Sequence, residues 1–444
     1  MINLQEMIPI FSDGAKNRLV IADGDPTVVS RARAQRGGVA DYSSIPVDWG
    51  ILGLEPMSCD LTQYRGLDYV DRDAKGQQRK CPFAPGREDG TTEEYARFEG
   101  GVLITYPVRT DVPYDEDPRP TTYPGLSTWP GPDWQTRAID NMFPTFDEQN
   151  IRGEGKPRYS THETVLLNRS IRVMDAVGKD IMILESRHHI SPMVDRYQTL
   201  RLHQLVAEME MAKPHVRWVL NGQNYSGLPV KAKDEFDERR EYYTHANWAE
   251  RSGASGIHRH GRVISYCILP GDIEESYQRV ESAAQDGGYQ WMFKPILDEG
   301  SLTISQGEHF ALLADPSPKH TGGLRVISRN GHKSILDLSD PELREFGALM
   351  QQGELLLQLA YGGVPYNVYL RQIFKEDISR YPSYVLNARL DPRGPRNGIH
   401  ALIEHGGGTI CITEDPFDVA PFMRYLTSEA EKLGHPIGLE AVSV

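Results

Sequence analysis

The sequence predicts an α+β fold of two tandem halves, each an antiparallel sheet with packed helices. Three observations carry that expectation. A unit of strand, His-x-Ser, helix, strand occurs twice, over residues 180–221 and 324–370. Its helical segments carry apolar side chains at helical spacing, and its strand segments are short apolar runs. Each copy is followed by one more strand. A duplication of this kind divides the chain into an N-terminal half, 1–270, and a C-terminal half, 271–444.

A strand is expected around Arg18-Leu19-Val20-Ile21-Ala22, followed by an Arg-rich turn, Ser30 to Arg36, in which Arg33 is a candidate phosphate contact. Residues 46–78 have few periodic signals and read as an insertion. Cys81-Pro82-Phe83-Ala84-Pro85-Gly86 is a Pro/Gly knuckle with one candidate metal ligand, and Ala84 stands where a C-x-x-C would place its second cysteine. Pro113 to Pro132 reads as a loop, and Asn141-Met142-Phe143-Pro144 is a turn that suits either a cap or a ligand contact.

The first copy of the unit comprises a strand at Asp180 to Ser186, then His189-Ile190-Ser191, a helix from about Asp195 to Met211, and a strand from His215 to Asn221. A charged insertion, 224–251, follows. Then comes Gly253-Ala254-Ser255-Gly256-Ile257-His258-Arg259-His260-Gly261-Arg262 and the apolar run to Leu269. Strand side chains alternate, so His258 and His260 project to one face and Arg259 to the other. Imidazole at neutral pH can serve as ligand, base or nucleophile.

The second copy has a strand at Leu324 to Ser328, His332-Lys333-Ser334, and a helix started by Asp340-Pro341-Glu342 with Asp340 as N-cap. A strand at Tyr366 to Leu370 closes it. The strand after it, Ser383 to Leu390, has no histidine, so only the first half keeps the reactive pair. A strand at Thr409 to Thr413 and a helix from Pro416 to Leu433 end the reading.

Composition bounds the function. With 39% hydrophobic and 25% charged residues over 444 positions, the chain reads as a globular protein. A formal net charge of -14 argues against broad binding to nucleic acid or an anionic membrane. Four dispersed cysteines, no membrane-length apolar run and no signal-like opening give a cytoplasmic expectation.

Taken together, Cys81 to Gly86, Asn141 to Pro144, Glu185 to His189, Gly253 to Arg262, Pro365 to Asn367 and Glu404 resemble, in order and spacing, the motifs of the galactose-1-phosphate uridylyltransferase family of the histidine-triad superfamily. The resemblance implies two histidine-triad-like halves and a hexose-1-phosphate uridylyltransferase-like nucleotidyltransferase acting on a nucleotide or nucleotide-sugar through a nucleotidyl-histidine. His260 would be the nucleophile, with His258, Ser255 and Arg262 beside it. Asn141, Phe143, Asn221 and Gly253 would hold the nucleotide, and Glu404 and Arg33 the rest of the substrate. Zinc on Cys81, His189 and His258 is implied, with the site incomplete at Ala84, and so is a homodimer.

Two departures stand out. Arg259 replaces the family's proline between the histidines, and Arg262 replaces a glutamine that bonds the transferred phosphate. Arginine there either clamps a phosphate or blocks the family reaction. Three alternatives follow: a dinucleotide phosphorylase or nucleotide hydrolase that keeps His260, a nucleotide-binding relative without turnover, and a cupin-like metal oxygenase. The last has the opening G-x-x-x-x-H-x-H but no glutamate near Tyr266 or Cys267.

Overall fold

Short runs of β-branched and aromatic residues become strands, and two long amphipathic segments pack across them as helices. The computed structural model describes residues 17–20, 27–30, 47, 49–53, 83, 94–105, 134–141, 145–146, 151–152, 156–157, 177–186, 196–225, 258–288, 291, 293–393, 410–412 and 414–437.

In chain order the strands are β1 (Asn17–Val20), β2 (Thr27–Ser30), β3 (Glu94–Glu99), β4 (Val102–Thr105), β5 (Trp134–Asp140), β6 (Ile151–Arg152), β7 (Lys156–Pro157), β8 (Asp180–Leu184), β9 (Trp218–Tyr225) and β10 (His260–Tyr266). They continue as β11 (Thr303–Gln306), β12 (Phe310–Ala314), β13 (Leu324–Ser328), β14 (Tyr366–Arg371), β15 (Asn387–Pro392) and β16 (Ile410–Ile412). The helices are α1 (Arg196–Met211), α2 (Gly271–Gly287), α3 (Lys294–Glu299), α4 (Asp340–Ala360), α5 (Glu376–Arg380) and α6 (Pro416–Lys432).

Eleven strands form one sheet in the order β11-β12-β13-β15-β14-β9-β10-β8-β5-β3-β4. Outward from the centre, β14-β15-β13-β12-β11 and β9-β10-β8-β5-β3 follow the same order, with β4 as an extra edge strand. At the centre β9 and β14, each following a long helix, pair antiparallel (Asn367 opposite Asn224, Tyr369 opposite Gly222). Strands from residues 94–266 and 303–392 are thus hydrogen bonded into one continuous sheet. β1 pairs with β2, and β16 adds parallel to β2.

Helices α1 and α4 cross each other and lie on the same face of the sheet, with α6 packed against α4. On the opposite face Trp218 Nε1 donates to the hydroxyl of Tyr277 on α2 at 3.1 Å. Most of the buried apolar side chains form one core, and Trp134, Ile139, Met182 and Leu184 make a small second cluster with Phe83.

The expected α1, β8, β13, β14, β10 and final helix are found within a few residues. The cap of α4 is a correction: Ser339, not Asp340, is the N-cap, because Ser339 and Glu342 have the spacing of a capping box, and the Ser339 N–H donates to Glu342 at 2.9 Å. β9 starts three residues later than expected and extends to Tyr225, so Asn224 belongs to the sheet and not to the charged insertion. Of that insertion, residues 226–251 lie outside the described residues, as do most of 46–78.

Gly347 sits at the α1–α4 crossing, where an added Cβ would meet Arg196 Cβ and the Tyr197 N at 3.2 Å. Gly347→Leu should therefore overpack the crossing and destabilise the protein by about 1–3 kcal/mol, read as a lower denaturant midpoint.

Candidate functional site

The alternation of β10 decides which side chains meet. Gly261 and Ser265 face α1: a Cβ on Gly261 would lie 2.8 Å from His203 Nε2, and the Ser265 hydroxyl donates to Glu210 at 2.8 Å. His260, Arg262, Ile264 and Tyr266 therefore face the opposite way.

His258 and His260 are both buried, at 2% and 8% exposure. The His260 Nδ1 lies 2.7 Å from the His258 carbonyl oxygen. A carbonyl only accepts, so Nδ1 carries the proton and the neutral ring keeps its lone pair on Nε2. Burial lowers the His260 pKa, against a smaller opposing contribution from that hydrogen bond, so the ring is neutral at pH 7. His258 Nε2 lies 2.7 Å from the Ser186 carbonyl oxygen, and the His258 ring meets the edge of Phe83 at 5.8 Å. Phe83 is the one described residue of the Cys81–Gly86 knuckle.

Behind the two histidines, on the α1/α4 face, sits a group of charges that sequence reasoning did not assign. Arg259 Nε donates to Glu185 at 2.7 Å, and its guanidinium also bonds Glu354 on α4 and reaches the Tyr366 hydroxyl at 3.2 Å. Arg196, the first residue of α1, bonds the same two glutamates, at 3.0 Å to Glu185. The Tyr225 ring lies under the Arg259 guanidinium at 4.5 Å. Burial works to raise the Glu185 pKa, but Arg196 and Arg259 overcome it and hold the carboxylate below its usual range. The signal was present at Glu185 and Arg259, both inside quoted motifs, but nothing in the sequence pairs them with Glu354 some 95 positions away.

Arg262 forms a fork with Asp180, with Nε 3.0 Å from Oδ1 and Nη2 on Oδ2. It also reaches the Thr145 hydroxyl at 3.1 Å, and the Thr145 N–H donates to Asp180 at 3.0 Å. The Asn141 N–H bonds the Asp180 carbonyl at 3.1 Å, so Arg262 is tied to the segment that carries Asn141.

The structure thus places His258, His260 and Arg262 on one stretch of chain and links Asn141 to Arg262 through Asp180. Asn221 goes elsewhere: its amide nitrogen is 3.2 Å from His203 Nδ1, and its oxygen accepts from Gln372 at 2.6 Å. It lies on the α1/α4 face, because its odd place in β9 sets it opposite the faces of Gly222 and Asn224, and it does not face a ligand beside His260. Arg33, Cys81, Phe143, His189, Gly253, Ser255 and Glu404 lie outside the described residues. Among the described residues no three His, Cys, Asp or Glu side chains converge as metal ligands, and with His258 Nε2 on a carbonyl the ring would meet a metal through Nδ1. The oxygenase alternative fails on architecture, since the histidines lie on a continuous open sheet carrying helices, and Tyr266 and Cys267 occupy the positions where a carboxylate ligand was required.

No family model and no curated protein matches the chain. Solved structures do. An ADP-glucose phosphorylase from Arabidopsis thaliana, solved with bound ADP-glucose, is similar over 92% of this chain and 98% of its own, at 16% identity and a TM-score of 0.60. A GalT-like protein from the same plant covers 78% of this chain and 91% of its own, at 16% identity and a TM-score of 0.54. A uridylyltransferase mutant covers 81% of this chain and 99% of its own, at 14% identity and a TM-score of 0.54. The chain therefore has the fold of these proteins. No helix among the described residues is long and apolar enough to cross a membrane.

His203 gives this region a pH dependence. Burial pushes its pKa down from 6.5 to about 4, so the unfolded chain takes up a proton that the folded protein refuses. The stability it supports is fully present above pH 6.5 and falls by about 1.4 kcal/mol per pH unit between 6.5 and 4. Chemical denaturation across that range should show the slope, and His203→Gln should reduce it.

Proposed function

We propose that this protein is a nucleotidyltransferase in which His260 is the nucleophile, acting on a nucleotide-activated sugar or related phosphoester. The observation that carries the reading is the His260 tautomer: Nδ1 is spent on the His258 carbonyl, so Nε2 is the attacking atom. Similarity of fold to an ADP-glucose phosphorylase and a uridylyltransferase supports the substrate class.

In the first step Nε2 attacks the α-phosphorus of the bound nucleotide. A P–N bond forms, the P–O bond to the sugar phosphate breaks, and the sugar phosphate leaves with the electron pair. In the second step an oxygen of an acceptor phosphate attacks the same phosphorus, and the P–N electron pair returns to Nε2. Because the ring starts neutral and Nδ1–H stays on its carbonyl, the cationic adduct is stabilised by that acceptor in both steps. Arg259 acts at one remove, holding the backbone between the two histidines against Glu185 and Glu354. Arg262, braced by Asp180, presents its guanidinium on the same face as His260, where it supplies phosphate binding in place of the family's glutamine.

The bound ADP-glucose in a phosphorylase of this fold favours a second reading, in which inorganic phosphate is the acceptor. Zinc on Cys81, His189 and His258 belongs to the same proposal as a tie between the knuckle and the histidine strand, as does a homodimer. Metal analysis of protein purified without chelator tests the zinc, and its absence from fully folded protein would remove it.

Incubation with a panel of nucleoside diphosphate sugars, followed by intact-mass measurement, should give a nucleotidyl adduct. His260→Ala should abolish it, and turnover should fall by orders of magnitude. Arg262→Gln should keep the adduct site but slow its formation by about tenfold or more, the loss of one charge-assisted contact. An adduct that survives His260→Ala would sink the nucleophile assignment. Release of labelled nucleotide with phosphate, sugar phosphate or water as acceptor separates the two readings.

A further inference from the structure

A cavity of about 320 Å³ lies on the His260 face of the sheet, at the β9–β14 seam where the two copies join. The glycine at 222 leaves its floor open, between Arg262 on β10 and Tyr369 on β14. Trp218, Ile264 and Tyr266 supply apolar and aromatic wall, and Arg371, Lys319 and Asp272 supply charge.

Arg371 is the unexplained group. It is only 6% exposed, yet among the described residues its guanidinium has no carboxylate partner and no hydrogen-bond acceptor. Its one close partner is the Tyr369 ring, 5.6 Å away. The other buried arginines of the sheet's second half are paired: Arg325 and Arg389 share Asp315 at 2.9–3.0 Å. Asp272, the one carboxylate lining the cavity, forms no ion pair with Arg371. A buried cation kept without a counter-ion costs stability, and its retention beside a cavity of ligand size points to an anion that arrives from solution.

Lys319 lines the same cavity from a loop that is fixed in place. Asp315 N–H bonds the Gly323 carbonyl at 3.0 Å, Gly323 N–H bonds the His320 carbonyl at 3.1 Å, and Arg389 donates to the Ser317 carbonyl at 2.6 Å. Gly322, at φ +79°, passes so close to Tyr361 that no side chain fits there.

We propose that this cavity is a binding site for a phosphomonoester, with its phosphate on Arg371 and Lys319 and its ring body against Trp218, Ile264 and Tyr266. The planar fork of the Arg371 guanidinium matches the several acceptor oxygens of a phosphate. The site is separate from the reacting phosphorus: Arg371 is two strands across and four residues along from His260, about 16 Å between Cα atoms. Arg262 borders both places, so the cavity adjoins the site proposed at His260, but binding there requires no nucleotidyl transfer. The phosphomonoester is either a nucleotide or a sugar phosphate, and the aromatic wall favours the nucleotide.

Isothermal titration of the His260→Ala protein with UMP, glucose 1-phosphate and inorganic phosphate tests it, with Arg371→Met and Lys319→Met each added in turn. One organic phosphate should bind saturably. Arg371→Met should weaken it about tenfold or more, and Lys319→Met should weaken it too. Tighter UMP identifies a nucleotide site, and tighter glucose 1-phosphate a sugar phosphate site. Without ligand, Arg371→Met should melt at or above the temperature of its parent, because it removes an uncompensated charge. Three results would overturn the proposal: no organic phosphate bound, affinity unchanged in both variants, or a ligand-free Arg371→Met protein that melts below its parent. Adduct formation by the wild type is a different measurement, so failure here leaves the reading of His260 untouched.

Discussion

Four buried charges hold this molecule's histidine strand in place. Glu185 follows β8, Arg196 begins α1, Arg259 separates the two histidines and Glu354 lies within α4. Two cations and two anions balance, which is the condition under which such groups can leave water at all. Removing any one would strand the others, at a cost of about 3–5 kcal/mol. Arg196 also stands against the dipole at the N-terminus of α1, an unfavourable place for a cation that the two glutamates offset. The network joins elements of both copies, so the geometry of His258 and His260 depends on α4, a helix from the other half of the sequence.

This arrangement gives Arg259 a purpose that its position alone concealed. Where the resembled family has a proline between its histidines, rigidity would come from the ring. Here rigidity comes from a side chain tied to two carboxylates and stacked on Tyr225. The backbone carbonyl of His258 is thereby fixed, and it is this carbonyl that sets the tautomer of His260. Arg262 is constrained in a similar way through Asp180, so two arginines three positions apart serve opposite faces.

The sheet divides the protein's chemistry by face. On the α1/α4 side, polar groups pair with one another: His203 with Asn221, Asn221 with Gln372, Ser265 with Glu210. On the other side lie the histidines, Arg262 and the seam cavity with Arg371, whose guanidinium has no anionic partner among the described residues. Polar groups that satisfy each other build the scaffold, and a guanidinium facing a cavity without an anion is available to a ligand.

The sequence by itself determined the local elements whose signals are local: α1 and the final helix from apolar spacing, β8, β13 and β14 from short apolar runs, and the shared face of His258 and His260 from strand alternation. It did not reveal β3 and β5, because their buried positions hold Glu94 and Arg137, an ion pair at 2.9 Å that cancels charge in space while erasing hydrophobic periodicity in sequence. The family resemblance implied a ligand role for Asn221, and only the register of β9 against α1 turned that amide away. Tertiary structure alone joined the copies into one sheet, matched Arg259 with Glu354 and Arg262 with Asp180, and left Arg371 facing a cavity. Side-chain periodicity is fixed by the backbone of a single segment, whereas the partner of a buried charge is chosen by which distant segments the core brings into contact.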